Sequence, residues 1–217
     1  MPKRPSTPDT ALRSRDRDAT ARAIVLAAKQ VLAEDGFQSF GVNAIARRAG
    51  CDKQLIYRYF GGLEGLADAI GADLAAELAD ELAPFSVEPP PATYGQWMER
   101  LALGLLELLR RNRLMQQINA WESAMPSPLV GRLVESRSVR LAQWMNETRG
   151  GLTAPEGADA PAVNALLIAG IQQLVIAASA NGQFAGLSLR DDEDWLRLKA
   201  AVSAVIRATY GAQPQRS

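Results

Sequence analysis

GFQSFGVNAIARRAGCDKQLIYRYF, residues 36–60, holds two short segments with apolar faces on either side of a glycine turn. In Val42–Ala49, Val42, Ile45, Ala46 and Ala49 fall on one side of a helix. Gly50 ends that helix and permits a tight turn, because it tolerates positive φ at little cost. Asp52 is a good N-cap for a second helix, Lys53–Phe60, which Gly61-Gly62 breaks. Helix, glycine turn and helix is the helix-turn-helix arrangement, whose second helix enters the major groove of DNA by its N-terminal part.

The side chains of that second helix suit the task. Lys53 can reach a phosphate or a guanine edge, and Gln54 can pair with adenine through two hydrogen bonds. Tyr57 and Tyr59 offer hydroxyls to phosphate, while Ile56 and Phe60 face inward. Short helix pairs with a glycine turn also occur in helical proteins that bind other proteins, so a helical protein-interaction adaptor remains the alternative. Charge separates the two readings. The chain is neutral overall, with 24 basic and 24 acidic residues, but residues 1–60 carry 11 basic against 6 acidic and the remainder 13 against 18. A basic head on an acidic body marks the head as the nucleic-acid end.

Outward from this segment the chain reads as all-α, with about nine helices. Residues 1–18, rich in Pro, Arg, Asp and Ser, read as a mobile basic arm. The DNA-binding domain follows over 19–62, then a ligand-binding and dimerisation domain over 63–211 and a tail at 212–217. Its first helix spans about Ala19–Glu34, and later ones Leu63–Leu82, Tyr94–Arg111, Leu114–Ala124, Pro128–Arg149, Ala162–Ala180 and Asp192–Tyr210. Pro84 and Pro89-Pro90-Pro91 punctuate the pattern, and no strand signal stands out. Ala162–Ala180 is apolar around nearly its whole circumference and therefore must be buried on all sides. Its core, Val163–Ala178, is interrupted by Asn164, Gln172 and Gln173 and reads as too short and too polar for a membrane span.

Several chemistries are excluded. The 217 residues include no His and one Cys, so there is no disulfide within the chain, no Cys/His zinc site, and no Ser-His-Asp or Cys-His catalysis. No phosphate-binding Gly loop is present, and Glu99, Glu107, Glu122 and Arg113 read as a solvated face, so no enzyme and no cofactor are expected. No secretory h-region is seen, and the expected location is cytoplasmic. Cys51, beside the turn, reads as a small hydrophobe, with a redox switch as the alternative.

Residues 20–82 resemble the N-terminal domain of TetR-family regulators. The resemblance rests on Gly36-Phe37 after the first helix, Val42-Asn43-Ala44-Ile45-Ala46, Ala49-Gly50-Cys51-Asp52, and Ile56-Tyr57-Arg58-Tyr59-Phe60. It implies that Lys53, Gln54, Tyr57 and Tyr59 contact DNA, that Leu55 touches a thymine methyl, and that Asn43 reaches a base or phosphate, with Arg47, Arg48 and Arg58 as weaker candidates. Three positions depart from the family pattern: Phe40-Gly41 stand where a Thr or Ser is usual, Leu63 where a Lys is common, and Cys51 where an apolar residue is usual. Two phosphate contacts are lost, and the basic arm, with Lys3, Arg4, Arg13, Arg15 and Arg17, is the candidate replacement. The resemblance further implies a small apolar effector held among Trp97, Leu101, Leu105, Ile118, Trp121 and Met145, with Met98 and Met115 nearby. It implies a homodimer through helices 162–180 and 192–210, a palindromic operator, and repression relieved by ligand.

Overall fold

Helix-forming stretches end where the local chemistry of the chain says they should. The computed structural model describes residues 8–87, 89–125 and 127–211. Nine helices are found among the described residues: α1 Pro8–Asp35, α2 Val42–Ala49, α3 Lys53–Phe60, α4 Leu63–Val87, α5 Tyr94–Arg111, α6 Arg113–Ala124, α7 Pro128–Arg149, α8 Ala160–Asn181 and α9 Asp192–Tyr210. Caps set these limits. Thr93 accepts from the Gln96 amide ahead of α5, and the Ser127 hydroxyl accepts from the Val130 amide ahead of α7. Asp191 and Asp194 form a reciprocal capping box at the start of α9.

Contacts divide the chain into two units. A head takes Met1–Leu74 with Met125–Arg137, and a body takes Ala75–Ala124 with Ser138–Ser217. The limit read from the sequence, between 62 and 63, falls at the Gly61-Gly62 break, whereas the contact division falls inside α4.

In the head, Ile24, Ala28 and Leu32 of α1, Ile45 of α2, Ile56 of α3 and Leu66, Ala67 and Ile70 of α4 have no exposed surface. Each fully buried Ile or Leu contributes roughly 1.5–3 kcal/mol relative to exposure. The buried Lys29 of α1 pairs with Asp73 of α4 at 2.8 Å. Gly71 brings α4 against α7: a Cβ there would stand 2.3 Å from the Leu133 carbonyl oxygen, so no larger residue fits without separating the helices. Beside this crossing Arg132 donates to Asp68, with Nε 3.1 Å from Oδ1, and the Ser136 hydroxyl donates to the Asp68 carbonyl at 2.8 Å.

In the body, α5 is the central helix. Tyr94, Trp97, Met98, Leu101, Ala102, Leu106, Leu108 and Leu109 are all buried, against α6, α8 and α9. Its first turn is knotted to its neighbours by a polar chain. The Asn164 amide donates to the Tyr94 hydroxyl at 2.7 Å, and the Tyr210 hydroxyl donates to Asn164 Oδ1 at 2.8 Å.

Five expectations need correction. The arm expected over 1–18 is helical from Pro8; its first seven residues lie outside the described ones, as does the tail 212–217. Pro at a helix start loses no hydrogen bond, and extending an existing helix requires little burial. Helix α4 runs past Leu82 and through Pro84 to Val87, because Leu82 and Phe85 cover Gly104 of α5 and hold the last turns down. A two-stranded hairpin, β1 Gln183–Phe184 with β2 Leu187–Ser188, follows α8. Its turn residues Ala185 and Gly186 both have positive φ, at 49° and 82°. Two-residue strands carry no alternation to read. Helix α8 is not buried on all sides: only Ile171, Val175 and Ala177 are buried, and Leu166 is 74% exposed. Finally, α8 is not too short for a bilayer. It has 22 residues, and by length and composition it could cross one.

Candidate nucleic-acid interface

The turn between α2 and α3 is built from two backbone features. Gly50 takes the left-handed conformation, φ 63° and ψ 33°, and caps α2 by donating to the carbonyls of its last turn. The Cys51 amide then donates to the Ala46 carbonyl at 3.0 Å, closing the motif. Asp52 stays extended, and its carboxylate accepts from the Gln54 amide at 2.7 Å. The acid that precedes α3 is thus engaged in starting it.

Helix α3 is anchored by Ile56, which is fully buried, with Leu55, Tyr59 and Phe60 half-buried. Lys53, Gln54, Tyr57 and Arg58 are exposed, and Asn43 is exposed near the start of α2. All seven DNA-contact candidates therefore lie on α2 and α3, with Leu55 and Tyr59 half in the head's core.

The arginines separate by their partners. Arg48 is spent within the head: its guanidinium pairs with Glu34 and Asp35 at the end of α1, the latter at 3.1 Å. The hydrogen bond to Glu34 raises it further above the usual guanidinium value. Arg47 and Arg58 are exposed and pair with no carboxylate among the described residues. Arg58 instead donates to the Tyr59 hydroxyl at 3.0 Å and lies 4.9 Å from the ring centroid. A residue that the motif does not include joins it here. Arg17 of α1 stands 5.6 Å from the same ring centroid. Its signal was the run of arginines ahead of the first apolar repeat, which carries no register until the helix is extended to Pro8.

Cys51 is half-buried, and burial, then the neighbouring Asp52 charge, push its thiol above the usual value. A thiol held protonated is a poor nucleophile, which counts against the redox alternative.

Of the six effector candidates, Trp97, Leu101 and Ile118 are buried, and Leu105, Trp121 and Met145 are half-buried. The Trp97 indole N–H is buried and has no hydrogen-bond partner among the described residues. None of the six lines three cavities of the body that the structure delineates. One, about 460 Å³, lies between the start of α5 and the end of α9, beside Gln96, Glu99 and Arg207. A second, about 230 Å³, lies beside Arg110 and Trp195. The third is an open groove of about 490 Å³ along α8 and α9, lined by Leu166, Leu167, Ile171, Leu198, Val202 and Val205.

Residues 24–70 match the family model described as bacterial regulatory proteins, tetR family. An uncharacterized HTH-type transcriptional regulator of Mycobacterium tuberculosis is 27% identical over 130 residues, covering 56% of this chain and 58% of the relative. The match thus spans less than two thirds of that relative's length. Two solved structures share the fold over most of the chain. A TetR family transcription regulator from Marinobacter aquaeolei is 21% identical, covers 89% of this chain and 97% of its own, and gives a TM-score of 0.58. The transcriptional regulator FadR from Bacillus subtilis, in complex with stearoyl-CoA, is 19% identical, covers 88% and 99%, and gives 0.61. Helices α2 and α3 with their turn lie within the matched residues, so this part of the head is a tetR-type helix-turn-helix segment, similar to that of the bacterial regulatory proteins of the tetR family.

Proposed function

We propose that this protein is a cytoplasmic, homodimeric, sequence-specific DNA-binding regulator, a repressor released by a small apolar effector. The observation that carries the reading is the two-faced recognition helix. Ile56 is fully buried, while Lys53, Gln54, Tyr57 and Arg58 project outward, and the neighbouring Asp52 carboxylate is engaged in capping the helix through the Gln54 amide. A solvated face on an ordinary surface helix mixes both signs of charge; this one carries only cations and neutral donors. Lys53, Gln54, Leu55, Tyr57 and Asn43 read bases and phosphates in this scheme, and two copies of α3 related by a twofold axis meet a palindrome.

The effector and the dimer come from the body. Stearoyl-CoA in the FadR structure supports an apolar ligand for this fold. The buried Trp97 indole N–H, without a hydrogen-bond partner among the described residues, would then donate to an oxygen of that ligand. The exposed apolar faces of α8 and α9 support pairing with a second copy. A bilayer is the weaker host for α8, since Ser179 holds Gln116 of α6 at 2.7 Å and Asn164 holds Tyr94 of α5. Those polar contacts fix both ends of the helix to the body. Ligand favouring a body state with the wrong head spacing weakens DNA binding, and DNA weakens ligand binding by the same factor.

The test is selection of bound fragments from genomic DNA, with wild type beside a Lys53→Ala, Tyr57→Ala double variant. Enrichment of a palindrome by wild type alone supports the reading. Equal recovery by both proteins, or no enrichment by either, removes α3 as a recognition helix and brings the protein-binding adaptor forward.

A further inference from the structure

Tyr59 does not present a free hydroxyl. Its oxygen accepts from Arg58, and its ring has two guanidiniums over it, from Arg58 of α3 at 4.9 Å and from Arg17 of α1 at 5.6 Å. Both arginines are exposed, and neither has a carboxylate partner among the described residues. Two cations gathered on one ring repel each other, and the ring's attraction for each is modest at an exposed site. An anion placed against both would relieve that repulsion and accept a charge-assisted hydrogen bond from each. Arg48 of α2 behaves differently, being paired with Glu34 and Asp35.

Position says which anion. Arg58 lies four residues after Gln54, so the two share a face of α3, and the cation pair continues the surface that carries Lys53 and Tyr57. We propose that Arg17, Tyr59 and Arg58 form a clamp for a phosphate of the DNA backbone, flanking the recognition helix. Tyr59 is the positioning residue, which holds the two guanidiniums in place of giving a hydroxyl to DNA. Arg17 adds α1 to the DNA-binding surface and supplies a contact that the Phe40-Gly41 and Leu63 positions cannot make. The inference rests on the DNA-binding reading above, and its test separates the two.

The probe is a random-sequence DNA duplex of about 30 base pairs, with affinity measured across salt concentration. A phosphate contact contributes roughly 0.9 to the slope of log affinity against log salt. Arg17→Ala and Arg58→Ala each flatten that slope by about this amount. Tyr59→Leu flattens it too, although it removes no charge, and Tyr59→Phe retains the Arg17 share. Arg17 is exposed, so Arg17→Ala melts with wild type and reports on DNA alone. Wild-type slopes in Arg17→Ala and Tyr59→Leu, alongside a flatter slope in Lys53→Ala, overturn the clamp and leave the DNA reading standing. Affinity independent of salt in wild type overturns both.

Discussion

Asp52 holds two opposing roles at one residue. Its carboxylate caps α3 through the Gln54 amide, and its negative charge at the start of that helix would repel a phosphate. The roles can be separated, because Asn caps helices about as well as Asp and carries no charge. Asp52→Ala is expected to destabilise the protein by about 1 kcal/mol in denaturant titrations. Asp52→Asn should melt near wild type and bind random-sequence duplex more tightly, with the gain shrinking as salt rises. Equal affinity of Asp52→Asn and wild type at low salt would mean that the start of α3 lies away from the phosphates. The same residues show how far the site was legible. Lys53, Gln54 and Tyr57 are exposed on α3, the helix that spacing and the glycine turn predict, and Asn43, named through the family resemblance, is exposed on α2. What separates Arg47, Arg48 and Arg58 is tertiary: Glu34 and Asp35 reach Arg48, and Arg58 lies over the Tyr59 ring. The Tyr59 hydroxyl accepts from Arg58, and the approach of Arg17 to its ring is a matter of tertiary geometry that spacing does not show.

Between elements, the tie among Tyr94, Asn164 and Tyr210 joins α5, α8 and α9. Burial above all, then the neighbouring Tyr94 and Asp159, push the Tyr210 phenol up from 10.0 to about 12. The fold therefore favours the neutral phenol. The stabilisation is complete below the ordinary value of 10.0 and is lost as pH rises toward about 12, because the unfolded chain releases that proton first. Tyr210→Phe is expected to be less stable at neutral pH, having lost its bond to Asn164, yet to show a flatter decline over that alkaline range. Parallel declines for variant and wild type would mean that Tyr210 does not titrate with unfolding. Elements of this kind are where sequence reading succeeds and fails for identifiable reasons. Helices α2, α3, α5, α7 and α9 begin and end as expected, because Gly50, Asp52, Thr93 and the Asp191–Asp194 box act within a few residues. The passage of α4 through Pro84 depends on packing over Gly104, and the heavy burial belongs to α5 while α8 lies mostly open. Hydrophobicity registers the need for cover and is silent on whether the chain itself or another copy provides it.

That need is the constraint at the scale of the whole molecule. Leu166 is 74% exposed, Leu196 63% and Val205 50%, and Leu166 and Val205 line the same open groove on α8 and α9. Isolated exposed leucines are unremarkable on a soluble protein, but a contiguous apolar groove on two adjacent helices is costly to leave in water. In the homodimer proposed above, a twofold axis through this face would cover the groove with its own copy and set the separation of the two α3 helices. Leu166→Glu with Val205→Glu puts charge into that cover without touching the central contacts of α5. The double variant is expected to sediment as the 23.4 kDa chain where wild type sediments at twice that mass. Its helix content should be retained, since neither residue is buried within one chain. DNA binding follows the assembly: the variant keeps weak, salt-sensitive affinity for duplex and loses preference for a palindrome over a single half-site. A variant that stays dimeric would place the interface elsewhere. One that is monomeric yet still prefers the palindrome would detach operator geometry from this face, and would require the two heads to pair on the DNA itself.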